Sequence, residues 1–189
     1  MRVRFLIDDI YHSGRDEVYA LLDSHPNFEV RIFNPMANRG VGRYLNYAVY
    51  RKYLNHRMHN KIFLGDNAVV VMGGRNIGNE YFEADPDLAF ADLDVLGIGP
   101  VACEVSASFD LYWNSELSYP ALVLKGKSPN PEEIDQKRQA LSKFIKGQKD
   151  SAYLEALRNS NLAEHLRRNQ VRFEWGEGKV VYDFPEKLL

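Results

Sequence analysis

His59 and Lys61 stand two residues apart in the stretch His59-Asn60-Lys61-Ile62-Phe63-Leu64-Gly65-Asp66, and Gly73-Gly74-Arg75-Asn76 follows after six intervening residues. In an extended strand, residues i and i+2 point to the same face, so a strand over His59–Leu64 projects the imidazole and the ammonium side by side. That pairing suits a phosphate. The lysine neutralises phosphoryl oxygens, and the histidine attacks phosphorus or shuttles a proton. Gly73 and Gly74 carry no Cβ and let an anion approach the backbone closely. Asn76 adds an amide donor, and Arg75 a charge whose direction the sequence leaves open. Asp66 falls in the turn Gly65-Asp66-Asn67, which carries it away from the His59/Lys61 face, so it reads as a structural member of the pattern.

The elements that must position these groups can be read from periodicity. Val3–Ile7 is an apolar strand ending in Asp8-Asp9. Gly14–Ser24 has helical spacing, with Val18, Leu21 and Leu22 on one face. Phe28–Phe33 is a second strand, and a helix through Tyr44, Leu45, Ala48 and Val49 follows a loop. Ile62 and Leu64 face the core, and Ala68–Met72 returns as the second strand of a hairpin. After a polar loop around Glu80–Asp87 comes a strand over Leu93–Ile98. A helix then starts at Gly99-Pro100 and carries Val101, Val105, Phe109 and Trp113. This order indicates a mixed α/β sandwich with a largely parallel sheet.

From about Ser115 the pattern turns helical, so the expected organisation is a half-domain over 1–115 and a helical extension over 116–189 in the same compact unit. Asn130 and Pro131 open a helix running to about Lys146, with Ile134, Leu141, Phe144 and Ile145 inward. Two short helices are expected over Ser151–Asn159 and Leu162–Asn169. A hairpin is expected from Val171–Trp175 and Lys179–Tyr182. The pairs Lys137-Arg138 and Arg167-Arg168 are most simply solvated helix faces, with an anionic-lipid patch as the alternative.

Composition sets bounds on function. At 189 residues with 45% hydrophobic residues, the chain can bury a core. A formal net charge of −2 argues against nucleic acid as a partner. Cys103 is the one cysteine, so an internal disulfide and a cysteine-based metal cluster are excluded. Its apolar helical surroundings suggest a packed, inert thiol. No run reaches the length of a membrane span, and the first apolar stretch is too short for a signal peptide.

The pattern His59-x-Lys61-x4-Asp66-x6-Gly73-Gly74-x-Asn76 resembles the HKD motif of the phospholipase D superfamily. The resemblance narrows to bacterial cardiolipin synthases of the C type through Leu6-Ile7-Asp8-Asp9, Val30-Arg31-Ile32-Phe33-Asn34-Pro35, Asn55-His56-Arg57-Met58-His59-Asn60-Lys61 and Asn76-Ile77-Gly78-Asn79-Glu80-Tyr81-Phe82. It implies a phospholipase D-like α/β sandwich with added C-terminal helices. His59 and Lys61 are then catalytic; Lys61, Gly74 and Asn76 bind the substrate phosphate, with no metal or other cofactor. It also implies a carboxylate on the catalytic imidazole, and Asp92 occupies the matching place, with Asp94 as the fallback. A carboxylate at Nδ1 would leave Nε2 to attack and would stabilise an imidazolium.

Members of this family carry two such motifs in a longer chain, and this sequence has one His-x-Lys. The chemistry needs two histidines, one to form a phosphohistidine and one to protonate the departing alcohol. The chain is therefore expected to be a first-motif piece of a larger protein. Its second motif would come from a C-terminal part or a homodimer mate, and an exposed apolar patch beside the site would dock it. The implied activity is phosphatidyl transfer of cardiolipin synthase type on phosphatidylglycerol, peripheral to a bacterial cell membrane. The alternatives are a phosphodiesterase hydrolysing lipid or nucleic acid and a non-catalytic phosphate- or lipid-binding half-domain.

Overall fold

The structure, a computed structural model, describes residues 1–9, 15–36, 57–82, 87–125 and 130–185. The helix expected through Tyr44–Val49 lies outside them. The chain divides into two compact units, one of Met1–Asn76, Ala91–Pro129 and Lys179–Leu189, the other of Ile77–Phe90 and Asn130–Gly178.

In the first unit, strand β1 (Val3–Asp8) leads to helix α1 (Asp16–Asp23) and strand β2 (Phe28–Phe33). β1 and β2 pair in parallel, and the short strand β6 (Ser118–Pro120) adds antiparallel to β2. A second sheet holds β3 (Ile62–Gly65), β4 (Val69–Gly73) and β5 (Asp94–Ile98), with both ladders antiparallel. The architecture is the mixed α/β arrangement expected from the order of elements. Among the described strands, parallel pairing is confined to β1–β2, because β3 and β4 are joined by a tight turn that permits only the antiparallel sense.

Alternation along β1 and β2 gives their shared sheet two working faces. Ile7, Val30 and Ile32 are buried with Tyr19 of α1 and Ala121 of the short helix α3 (Ala121–Lys125). Within α1 the inward residues are Tyr19, Ala20 and Leu22, while Val18, expected on that face, is exposed. An eight-residue helix shows barely two turns, too few for spacing alone to fix its inner face. The opposite face of the sheet meets helix α2 (Pro100–Trp113). There the Phe33 ring lies 5.4 Å from Tyr112, and the Arg31 guanidinium sits over Trp113 while donating to its carbonyl at 2.6 Å.

The same helix also packs on the second sheet. Ala102 and Val105 are buried with Val70, and Ile62, Leu64, Met72 and Val101 close around them. α2 starts at Gly99, whose φ of +81° favours glycine, with Pro100 in the first turn. Cys103 does not share the buried face. It is exposed, because it lies about a quarter-turn from Ala102, and its thiol donates to the Asn67 carbonyl at 3.4 Å. The hairpin expected from Val171–Tyr182 does not form. Both segments lack strand structure, the Val180 amide donates to Glu104 of α2 at 3.2 Å, and the Val180 side chain packs against the α2 cluster.

The second unit contains helices α4 (Pro131–Gln148), α5 (Ala152–Arg158) and α6 (Asn161–Arg167). Their starts follow the sequence signals. Asn130 and Glu133 form a capping box, and the Ser151 and Ser160 hydroxyls accept from Leu154 and Ala163 amides. The inward face expected for α4 is not buried: Leu141, Phe144 and Ile145 are exposed.

Removing the Phe33 ring, fully buried against Tyr112, should lower the unfolding free energy of the first unit by about 3–5 kcal/mol. Chemical denaturation of Phe33→Ala against the parent, followed by tryptophan fluorescence, measures it.

Candidate functional site

The β3–β4 hairpin turns through Gly65–Ala68, closed by Ala68 N–H donating to the Gly65 carbonyl at 2.9 Å. Asp66 and Asn67 have φ of 49° and 57°, the left-handed pair of a type I′ turn, which Asp and Asn tolerate better than most residues. Asn67 ties this turn to α2, its side-chain oxygen accepting from the Ser106 hydroxyl at 2.7 Å. Asp66 sits at the far end of β3 from His59.

β3 begins at Ile62, not at His59 as the spacing suggests, so His59-Asn60-Lys61 enter the hairpin as irregular chain. Pairing still reaches Lys61, whose carbonyl accepts from Gly73 N–H at 3.3 Å. His59 is exposed, and the Lys61 ammonium folds back to donate to its carbonyl at 2.9 Å. The two residues are thus brought together. Asp92 is not joined to them, for no described residue hydrogen-bonds the His59 imidazole. The Asp92 carboxylate instead accepts from the Leu93 amide at 2.8 Å.

The glycine pair explains where that carboxylate lies. A Cβ on Gly74 would come within 2.5 and 2.6 Å of the two Asp92 carboxylate oxygens, and one on Gly73 would collide with Asp94. The anion approaching this backbone is therefore the protein's own. Arg75 points along the same edge, its Nε donating to Asp94 at 2.6 Å and its guanidinium to the Asp92 carbonyl at 3.3 Å. Asp94, the fallback partner for His59, is thus paired with arginine. Asn76 lies exposed just beyond.

The register sets two of these groups opposite Gly73. Gly73 aligns with Asp94, and Lys61 lies opposite Gly73. Beyond Gly73 the ladder ends, and the Asp92 carboxylate lies against Gly74. One step the other way, Phe63, Val71 and Leu96 align as an apolar row, with Phe63 72% exposed. The other face of the motif covers a small cavity of about 40 Å³ lined by Leu6, Met58, Asn60, Ile62, Phe109 and Tyr112.

Two residues absent from the expected site hold its entrance. The Asp8 carboxylate at the end of β1 accepts from the Met58 amide at 2.9 Å and pairs with the Arg57 guanidinium at 3.3 Å. Arg57 also donates to the Asn34 carbonyl at 3.2 Å. Asp8 and Arg57 are only 12% and 6% exposed. The adjacent Asp9 is fully buried and accepts from the Met36 amide at 2.7 Å. Two acids ending an apolar strand were the available signal, since carboxylates are rarely buried without partners.

No family model matches the chain, and no solved structure matches it. Cardiolipin synthase C of Escherichia coli is 37% identical over 188 residues, covering 99% of this chain and 39% of that protein. An uncharacterized protein of Helicobacter pylori is 34% identical over 192 residues, covering all of this chain and 38% of its own length. Cardiolipin synthase A of Pseudomonas putida is 36% identical over 83 residues, covering 42% of this chain and 17% of that protein. The chain is a phospholipase D superfamily relative. Within it, the chain is a cardiolipin synthase-like protein, similar to the C type along nearly its whole length. It spans about two fifths of the length of the relatives it matches end to end.

Asp8→Ala removes a carboxylate from the largely buried Arg57 guanidinium and should destabilise the first unit by about 3–5 kcal/mol, with the double variant Asp8→Ala/Arg57→Ala recovering part of the loss. Denaturant melts of the two singles and the double give the coupling. An NMR shift of the His59 ring protons in Asp8→Ala checks that the clamp sets the imidazole's place.

Proposed function

We propose that this chain is the first-motif half of a phosphatidyltransferase of cardiolipin synthase type, working peripherally at a bacterial membrane on phospholipid such as phosphatidylglycerol. The observation that carries the reading is the similarity to cardiolipin synthase C over 99% of the chain. Beside it stand an exposed histidine and a half-buried lysine at the mouth of a hairpin whose glycine pair accommodates carboxylate oxygens.

In this reading the His59 Nε2 attacks the phosphorus of a phosphatidyl group. The P–O bond to the departing alcohol breaks as the histidine of a second motif gives that alcohol its proton. An N–P bond to His59 holds the phosphatidyl group until the second histidine takes the proton of an acceptor alcohol. The acceptor oxygen then attacks phosphorus and restores His59. Lys61, the Gly74 amide and Asn76 offset the charge on the phosphoryl oxygens. Asp92 orients the His59 imidazole once substrate phosphate takes the carboxylate's place over Gly74. The second motif comes from the remainder of a longer protein or from another copy of this chain. The exposed row of Phe63 and Leu96 beside Lys61 supports a docking face there.

Purified chain and longer two-motif protein, assayed side by side on phosphatidylglycerol with mass spectrometry of the lipid products, test the proposal. The longer protein should form cardiolipin and the chain alone little or none. His59→Ala in the longer protein should lower turnover by at least about a thousandfold. Phosphatidic acid as the sole product would mean that water is the acceptor, and unchanged turnover in His59→Ala would remove this site from the chemistry.

Asp92→Asn in the longer protein should leave the fold intact and lower kcat far more than it alters KM, because the imidazolium loses its counter-charge. A rise in KM with kcat unchanged would assign Asp92 to substrate binding alone.

A further inference from the structure

Within the second unit, no described apolar side chain is buried, and the apolar residues of α4 face outward. Leu141, Phe144 and Ile145 are 49%, 64% and 54% exposed. Ile134, Leu141 and Ile145 recur at helical spacing and make one stripe along the axis. Lys137 and Phe144 border it on one side, Arg138 and Lys149 on the other. Between Gln136 and Lys149 there are five cations (Lys137, Arg138, Lys143, Lys146 and Lys149) and no carboxylate.

The acids of this helix are segregated. Glu132, Glu133 and Asp135 stand at its start, where Glu133 accepts from the Asn130 amide in the capping box. Arginines of the following helices are used internally. Arg158 donates to the Lys149 carbonyl at 3.0 Å, Arg167 to the Arg158 carbonyl at 2.7 Å, and Arg168 pairs with Glu164 at 2.8 Å. Among the described residues, Arg138, Lys143, Lys146 and Lys149 enter no ion pair. Arg138, Lys146 and Lys149 border a shallow open groove of about 390 Å³ floored by Leu141 and Ile145.

We infer that α4 is a docking helix for an anionic phospholipid surface, lying in the interface plane with Leu141, Phe144 and Ile145 among the acyl chains and Arg138, Lys146 and Lys149 on the headgroups. Charge complementarity selects lipid as the occupant. An apolar stripe edged by Arg138, Lys146 and Lys149 matches a surface that is apolar beneath a negative plane, and the first-turn acids sit at one end of the contact. No described helix is long and apolar enough to cross a membrane, so α4 lies on the bilayer and does not span it. The inference deepens the membrane-peripheral part of the proposed function by naming its surface, and its test reads binding alone.

The test floats the whole chain with vesicles of phosphatidylcholine, and with vesicles of phosphatidylcholine and phosphatidylglycerol in equal parts. Binding is expected to the second kind only, to weaken as salt rises, and to fall about five-fold for each cation removed in Arg138→Gln/Lys146→Gln/Lys149→Gln. Phe144→Ser/Ile145→Ser should abolish it, and both variants should keep the parent's circular dichroism because the altered residues are exposed. Equal flotation on both vesicle types overturns the inference, as does parental binding by the triple variant. A dimer dispersed by Phe144→Ser/Ile145→Ser, seen in sedimentation, overturns it in favour of a protein interface. A longer protein that makes no cardiolipin, yet binds anionic vesicles through α4, sinks the proposed function and leaves this surface standing.

Discussion

Ala102 and Val105 pack on Val70, while Tyr112 and Trp113, further along the same helix, meet Phe33 and Arg31. The two three-stranded sheets of the first unit therefore share α2 as a common wall. Each large side chain buried there contributes about 1.5–3 kcal/mol. Polar contacts fix the helix along its length. Ser106 and Cys103 hold the hairpin turn at Asn67, and Arg4 near its other end pairs with Asp110 at 2.6 Å beneath Phe109. β1 carries Asp8 and β3 carries the end of the motif, so the relation between clamp and motif is inherited from a helix containing neither.

How much of this could be read in advance depends on whether the signal was local. The tight turn at Gly65-Asp66-Asn67, the cap at Asn130 and the strand Phe28–Phe33 came from neighbouring residues alone, and they are legible for that reason. The inward face of α4 was misread because periodicity reports amphipathicity and says nothing about what the apolar side meets. The same limit hid the exposure of Cys103. The start of β3 was misplaced because Met58 spends its amide on Asp8, fifty residues earlier in the chain. At the site, the residue types and their spacing were visible, while the strand expected at His59 starts at Ile62. The Asp8–Arg57 pair and the carboxylates over the glycine pair were not, since each joins segments far apart in sequence.

The glycine pair can be argued further from charge. With Asp94 matched to Arg75, the edge keeps one carboxylate over Gly74, that of Asp92, close to the place proposed for a phosphate. Two anions cannot share that space without mutual repulsion, and Asp92 has an alternative that costs little. Its hydrogen bond to the Leu93 amide is local and exposed, worth about 0.5–1.5 kcal/mol net. In the proposed reading, the phosphate displaces the carboxylate, and Asp92 turns to the His59 imidazole. The displaced group then becomes the counter-charge that an attacking imidazole requires. An empty site would hold its histidine unoriented and its glycine shelf screened by a carboxylate, and a filled one would acquire both partners together.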